Sequence, residues 1–159
     1  MKQIIKGRVT MQDRITEFTT SVASAYKKLK KIKRQQTELY AYFGIREPHV
    51  MCLYFLGEHP EGLTVTELAA LCYDDKAATS RAVDYLVEKG YARHEEVEAK
   101  SRWRSKVQLT DSGVELANVV SRVATKLSAV ITRGIPVEDV EVFYRVFKQM
   151  IANMDHFIK

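Results

Sequence analysis

The sequence predicts a mainly helical α+β fold, with long helices at both ends and a smaller mixed region between them. Apolar residues recur at spacings of three and four near both termini, whereas a central stretch alternates every second residue. Three Pro and seven Gly in 159 residues are too few turn residues for an all-β protein. With 46% apolar residues, a single domain over residues 1–159 can bury a sizeable core.

Long amphipathic helices are predicted in two helical regions, residues 11–36 and 111–159. Gly134-Ile135-Pro136 separates two helices within the second region, and Pro136 suits a first helical turn. Together these stripes hold more large apolar side chains than one small lobe can cover, which predicts a C2 homodimer. The stripes are Ile15, Phe18, Val22, Ala25, Leu29 and Ile32; Leu116, Val119 or Val120, Val123, Leu127 and Val130; and Val140, Phe143, Phe147, Met150 or Ile151, Met154 and Phe157 or Ile158.

Shorter helices are predicted in a lobe over residues 45–110. The first is Glu47–Glu58, with Val50, Leu53, Tyr54 and Leu56 as its apolar set. Thr64 and Glu67 fit a capping box that opens a second helix of barely two turns. Asp74 or Asp75 can cap a third helix, Lys76–Lys89, which Gly90 ends. The apolar side of this third helix is Thr79, Ala82, Val83 and Leu86.

Beyond Gly90 the apolar period changes to two. Tyr91–Val97 and Trp103–Leu109 are predicted strands, and residues 98–102 between them form a charged hairpin tip. Thr110 then caps the next long helix. Two short helices joined by a tight turn and followed by such a hairpin indicate a winged helix-turn-helix.

In a winged helix-turn-helix, the second helix of the motif enters the major groove of DNA. Small residues let its backbone approach the bases, while Lys and Arg contact phosphate or guanine. The candidate DNA-binding residues are Lys76, Ala77, Ala78, Ser80, Arg81 and Asp84 on the helix, and Lys100, Arg102 and Arg104 on the hairpin. The alternative is a fragment of another α+β core with a merely solvated basic surface.

The charge balance is compatible with a polyanionic partner. Lys and Arg number 25 against 20 Asp and Glu, a net charge of +5 with a pI near 9.2. Lys27–Arg34 (KKLKKIKR) carries six basic residues, with Leu29 and Ile32 on the buried stripe. Its lysines therefore form either a solvated face or a phosphate-facing one. A membrane-surface role is disfavoured because the apolar stripe is assigned to packing.

The lobe resembles the DNA-binding core of MarR-type transcription regulators. The likeness extends over Pro48–Leu116 and is carried by Leu63-Thr-Val-Thr-Glu-Leu-Ala69, Asp75-Lys-Ala-Ala-Thr-Ser-Arg81, Leu86-Val-Glu-Lys-Gly90-Tyr91 and Val107-Gln-Leu-Thr-Asp-Ser-Gly113. One departure lies in the wing, where the family pattern has an Asp-x-Arg pair. Ser101 and Trp103 stand there; with a one-residue slip Arg102 is the wing arginine, without its positioning carboxylate.

The resemblance implies a homodimer with interlocking terminal helices and a ligand cleft between these helices and the lobe. The protein is thus expected to be a sequence-specific DNA-binding transcription regulator, a ligand-responsive repressor that reads a pseudo-palindromic operator in double-stranded DNA. The rival interpretation is a winged-helix protein-interaction module without sequence-specific DNA binding.

Aromatic and polar residues near the junction of helices and lobe predict a site for a small aromatic or amphiphilic effector. The candidate pocket residues are Phe18, Tyr42, Arg46 and His49, with Arg46 or His49 as the polar anchor of an anion. The alternative is that these side chains simply close the core.

No catalytic pattern is present in the sequence. It has no phosphate-cradling glycine loop, no Cys-x-x-Cys and no His-x-x-x-His, and its four histidines are scattered. Cys52 and Cys72 lie among apolar positions, which favours buried structural thiols over oxidant sensors. We expect no enzymatic activity, no metal and no cofactor. Since the N-terminus lacks the apolar core of a signal peptide and no long apolar run follows, we expect a cytoplasmic protein without a membrane partner.

Overall fold

The computed structural model describes residues 10–95 and 105–158, and the predicted mainly helical fold with a winged helix-turn-helix is confirmed. The chain divides into two compact units between Met51 and Cys52. The single domain and the region boundaries drawn from the sequence stay predictions. The described elements are α1 (Met11–Ala41), α2 (Glu47–Glu58), α3 (Val65–Cys72), α4 (Lys76–Glu88), β1 (Ala92–His94), β2 (Val107–Leu109), α5 (Asp111–Ile131) and α6 (Val137–Ile158).

Helix α1 begins at a capping box. The Thr10 hydroxyl accepts from the Asp13 amide at 3.1 Å, and the Asp13 carboxylate accepts from the Thr10 amide at 2.9 Å. The predicted apolar stripe lies on this helix but is not covered within its own unit. Leu29, predicted to be buried, is 54% exposed, because no described element of the unit packs over that face.

Helices α2 and α3 follow the sequence closely. Helix α2 has the predicted bounds, and its buried residues are Cys52, Leu53 and Leu56, whereas Val50 and Tyr54 are half-buried. The predicted capping box opens α3: the Thr64 hydroxyl accepts from the Glu67 amide at 3.2 Å, and the Glu67 carboxylate accepts from the Thr64 amide at 2.8 Å. The hydrogen bonds that the Glu67 carboxylate accepts from the Thr64 amide and the Thr64 hydroxyl lower the pKa of Glu67.

Helix α4 packs against α3 with the predicted side inward. Thr79, Ala82, Val83 and Leu86 are all buried. The helix is one residue shorter than predicted, since Lys89 is its C-terminal cap, and Gly90 follows with a φ of +74°. A side chain at Gly90 would meet no atom within 4 Å. Glycine is therefore favoured at this position by the left-handed backbone conformation and not by a lack of space.

The hairpin pairs β1 with β2 in antiparallel register, with Ala92 opposite Leu109. Both strands are shorter than predicted, and the predicted tip lies outside the described residues. Ser105 and Val107 are buried while Lys106 between them is half-buried, as a two-residue period requires. Leu63 adds a bridge to the sheet: its amide donates to the Val107 carbonyl at 3.1 Å and its carbonyl accepts from the Val107 amide at 2.7 Å.

Helix α5 begins at a tight junction with the α4–β1 turn. The Thr110 hydroxyl accepts from the Gly113 amide at 3.2 Å and donates to the Gly90 carbonyl at 2.6 Å. A Cβ on Gly113 would lie 1.8 Å from the Tyr91 carbonyl oxygen, so glycine is required for helix and turn to approach this closely. The Leu-Thr-Asp-Ser-Gly motif is therefore the joint that fixes α5 on the lobe.

The far half of α5 and the described part of α6 carry many exposed apolar side chains. The buried residues of α5 end at Val120, and Val130 is 59% exposed. None of the side chains described for α6 is buried, and Phe143 and Phe147 stack with ring centroids 5.5 Å apart while 58% and 43% exposed. None of the described helices is both long and apolar enough to cross a membrane.

Candidate nucleic-acid interface

The start of α4 is fixed by its N-cap. Asp75 is that cap: its carboxylate accepts from the Ala78 amide at 2.8 Å, and the Asp74 carboxylate accepts from the Asp75 amide at 2.9 Å. On the inner side, the buried Thr79 hydroxyl donates to the Asp75 carbonyl at 3.0 Å. Because both sides of the first turn are tied down, the direction of the outer side chains is set by the lobe.

The outer face of α4 gathers most of the predicted DNA-binding residues. Lys76, Ala77, Arg81 and Asp84 are exposed, and Ser80 is half-buried between them. Neither Lys76 nor Arg81 forms an ion pair with any other described residue. Such a face combines a fork of guanidinium donors with small side chains that leave the helix backbone accessible, which suits a ligand with a line of acceptors and negative charge.

The remaining predicted DNA-binding residues fall into two groups. Ala78 is half-buried and lies at its edge, where its amide already serves the Asp75 cap. Lys100, Arg102 and Arg104 lie outside the described residues, as do Ser101 and Trp103, so the wing contact stays a prediction. The hairpin also carries an exposed basic residue that was not predicted from the sequence, Arg93 on β1. Its guanidinium donates to the Gln108 side chain at 3.3 Å.

The turn before α4 holds a residue that sequence reasoning also missed. Tyr73 follows α3 with φ +53° and ψ +40°, the left-handed conformation that glycine adopts most readily, and its side chain is 90% exposed. The signal was available, because the residue after a helix end is where glycine is expected and here it is tyrosine.

The four predicted pocket residues are not gathered at one point of a single chain. Phe18 lies on α1, and Tyr42 is the C-terminal cap of the same helix, 24 positions later. This separation corresponds to about 36 Å along a helix axis. One pocket with all four residues would therefore need Phe18 from a second copy. Tyr42 is 86% exposed, and Arg46 is exposed. His49 is half-buried; its Nδ1 accepts from the Arg46 amide at 3.0 Å, and burial together with the Arg46 charge lowers its pKa. The pocket stays a prediction.

Cys52 and Cys72 are adjacent thiols in the core of the lobe. Cys52 is 2% exposed, and burial raises its pKa to about 12, with Cys72 as the next contributor. Cys72 is half-buried at the end of α3, and burial raises its pKa too. Neither group is a thiolate near neutral pH, as a structural role requires. Within the described residues, no three His, Cys, Asp or Glu side chains lie close enough together to hold a metal ion.

A sequence model of the MarR family matches residues 36–102, which span α2, α3, α4 and the first strand of the hairpin. These 67 of the 159 residues are similar to the MarR family. Among curated proteins, none matches its sequence significantly.

Solved MarR-family structures share the fold over nearly the whole chain. A MarR/EmrR family transcriptional regulator from Acinetobacter sp. ADP1 aligns with a TM-score of 0.71 at 21% identity, covering 87% of this chain and 96% of that one. A MarR family transcriptional regulator from Silicibacter pomeroyi DSS aligns at 0.69 and 20%, covering 96% and 98%. The S. aureus MepR–DNA complex aligns at 0.68 and 17%, covering 92% and 97%. At these identities the likeness establishes the MarR winged-helix fold.

Proposed function

We propose that this protein is a sequence-specific DNA-binding transcription regulator that acts as a homodimer and reads its operator with α4. The observation that carries the proposal is the division of α4 into a fully packed side and an outer side whose Lys76 and Arg81 have no ion-pair partner in the described part of the chain. DNA binding is also supported by the shared fold with MepR, which was solved in complex with DNA.

Each outer residue of α4 has a distinct proposed role. Arg81, in the middle of the helix, matches the O6 and N7 acceptors of guanine with two parallel donors. Lys76, in the first turn, neutralises a phosphate, and Ala77 and Ser80 permit close approach to base edges. Asp84 accepts from a cytosine amino group where the helix reaches one. Arg93 extends the basic surface from α4 onto the hairpin.

A homodimer accounts for the uncovered apolar faces of α1 and α6. Phe18, Val22 and Leu29 on α1 are each about half exposed, as are Phe143 and Phe147 on α6. Isolated exposed apolar residues are ordinary, but continuous stripes along two helices are typical of protein interfaces. A two-fold axis would also place two copies of α4 against the same face of DNA, which implies a pseudo-palindromic operator.

Control by a ligand, acting to release a repressor from DNA, is the finer part of the proposal. Exposed Arg46 and Tyr42 beside the half-buried His49 suit a small aromatic or amphiphilic anion. The test is thermal shift and operator competition with a panel of phenolic acids, using His49→Ala and Tyr42→Ala as pocket variants. If no compound weakens DNA binding, or the variants respond as the wild type does, the pocket assignment fails.

The rival is a winged helix that binds a protein partner instead of DNA. Fluorescence anisotropy with duplexes from upstream of the gene separates the two, at several salt concentrations. DNA binding through Lys and Arg predicts that log K falls with log salt with a slope of about −0.9 per phosphate contact. Arg81→Ala should lower affinity for the preferred duplex by about 10–100-fold and relax specificity at one position per half-site. Binding that is absent or indifferent to sequence supports the rival.

A further inference from the structure

Tyr73 occupies a backbone position that glycine would fill at lower cost. It belongs to a Schellman arrangement at the end of α3: its own amide lies 3.3 Å from the Ala70 carbonyl, and the Asp74 amide donates to the Ala69 carbonyl at 3.1 Å. This hydrogen-bond pattern forces the left-handed conformation on residue 73 whatever side chain it carries. For an L-residue with a Cβ that conformation is strained.

The rest of the chain handles the same conformation differently. Within residues 10–95 and 105–158, four other positions have a clearly positive φ, and all four are glycines: Gly44, Gly62, Gly90 and Gly134. Tyr73 is the non-glycine exception in that part of the chain. Strained residues tend to occur where a binding or catalytic role requires their side chain.

Nothing in the described fold uses the Tyr73 side chain. The ring is 90% exposed, takes part in none of the described aromatic contacts, and its hydroxyl has no described hydrogen-bond partner. A side chain that destabilises its turn and packs on nothing contributes to the fold less than glycine would. The role of the Tyr73 side chain is therefore to contact a molecule other than this chain.

The position of Tyr73 beside the start of α4 indicates its partner. Tyr73 lies two residues before the Asp75 cap and three before Lys76, at the end of α4 whose outer face carries the proposed DNA contacts. We propose that Tyr73 is a positioning contact to the DNA backbone, its phenol hydroxyl donating to a phosphate oxygen beside the groove that α4 enters. The inference rests on the proposed DNA-binding function and adds to it a contact that carries no sequence information.

The test compares Tyr73→Phe and Tyr73→Gly with the wild-type full chain. Tyr73→Gly relieves the strain, so its unfolding midpoint should rise by about 2–4 °C. Both variants should bind DNA about tenfold more weakly, since a dimer loses two hydrogen bonds to phosphate. The loss should be equal for a preferred duplex and an unrelated duplex of the same length. Because the phenol is uncharged, the salt slope should not change.

Tyr26→Phe is the matched control, since Tyr26 is also exposed but lies on α1, and it should bind as the wild type does. Unchanged DNA affinity in Tyr73→Phe would overturn the proposal, as would a lower unfolding midpoint in Tyr73→Gly. A loss confined to the preferred duplex would also overturn it, because that would make Tyr73 a base contact. If the wild type itself binds no duplex, the proposed DNA-binding function has failed. If the wild type binds and Tyr73→Phe binds equally well, only the proposed role of Tyr73 has failed.

Discussion

Removing one phenylalanine from α6 should separate the two protomers of the proposed dimer. Phe143 is 58% exposed in the single chain, and an aromatic residue of its kind presents about 200 Å² when fully accessible. Roughly 100 Å² per ring is thus available for burial, worth about 2 kcal/mol per protomer after allowing for the Cβ that alanine keeps. Both protomers of the dimer lose this burial free energy. Phe143→Ala should therefore weaken dimerisation by about 4 kcal/mol, or roughly 10³-fold in Kd.

Sedimentation equilibrium over nanomolar to micromolar concentrations measures this change directly. The wild type should sediment at about twice the chain mass of 18.2 kDa, while Phe143→Ala should shift toward the single-chain mass over the same range. The unfolding of the lobe should be unaffected, because Phe143 is not part of its core.

Arg145→Ala is the control for that measurement. Arg145 is also exposed on α6 but lies on the opposite side of the helix from Phe143 and Phe147, about 200° away from Phe143 around the axis. It should leave the association constant close to that of the wild type. If Phe143→Ala remains as tight a dimer as Arg145→Ala, the apolar face of α6 is not the interface and the reasoning from exposed stripes is wrong.

Three further predictions concern the lobe. Gly113→Ala should destabilise the fold by about 2–3 kcal/mol in urea unfolding, since its Cβ would lie 1.8 Å from a backbone carbonyl oxygen; an unchanged midpoint would contradict the close approach. Asp75→Ala should cost about 1 kcal/mol by the same measurement through loss of the N-cap, whereas Asp75→Asn should retain most of it. Cys52 should resist iodoacetamide at pH 8 in the folded state. Because folding raises the pKa of Cys52 from 9.0 to about 12, its contribution to stability should be lost as pH rises through that interval, and Cys52→Ala should flatten that part of the pH profile.

The helices and their caps could be predicted from the sequence because their signals are local. Thr10, Thr64, Asp75 and Thr110 each cap the next helix within hydrogen-bond reach of its first turn, and the sequence predicts all of these caps except Thr10. The buried side of α4 is predictable in the same way. The helical period places Thr79, Ala82, Val83 and Leu86 on one face of this 13-residue helix, and that face is the buried one.

Features set by distant contacts were harder to predict. Within the described residues, Ala92–His94 pair with Val107–Leu109, and the Glu95 amide donates to the Lys106 carbonyl at 2.8 Å just beyond them. The alternating pattern of the sequence continues into residues 96–104, which lie outside the described part of the chain. The predicted burial of Leu29 is wrong for the single chain, since a periodic stripe shows that a face is apolar but does not show whether the same chain covers it. The separation of Phe18 from Tyr42 results from the continuity of α1 over 31 residues, which periodicity alone did not fix.

Selection of bound duplexes from a random DNA pool tests the central claim most directly, since it requires no assumption about the operator. Two copies of α4 related by a dyad should enrich a pseudo-palindrome with half-site centres one helical turn apart, about 34–36 Å. The same selection with Arg81→Ala should lose the preference at one base pair in each half-site and keep the spacing. Enrichment of single, asymmetric half-sites, or of no sequence at all, would contradict the account of this protein as a dimeric reader of DNA.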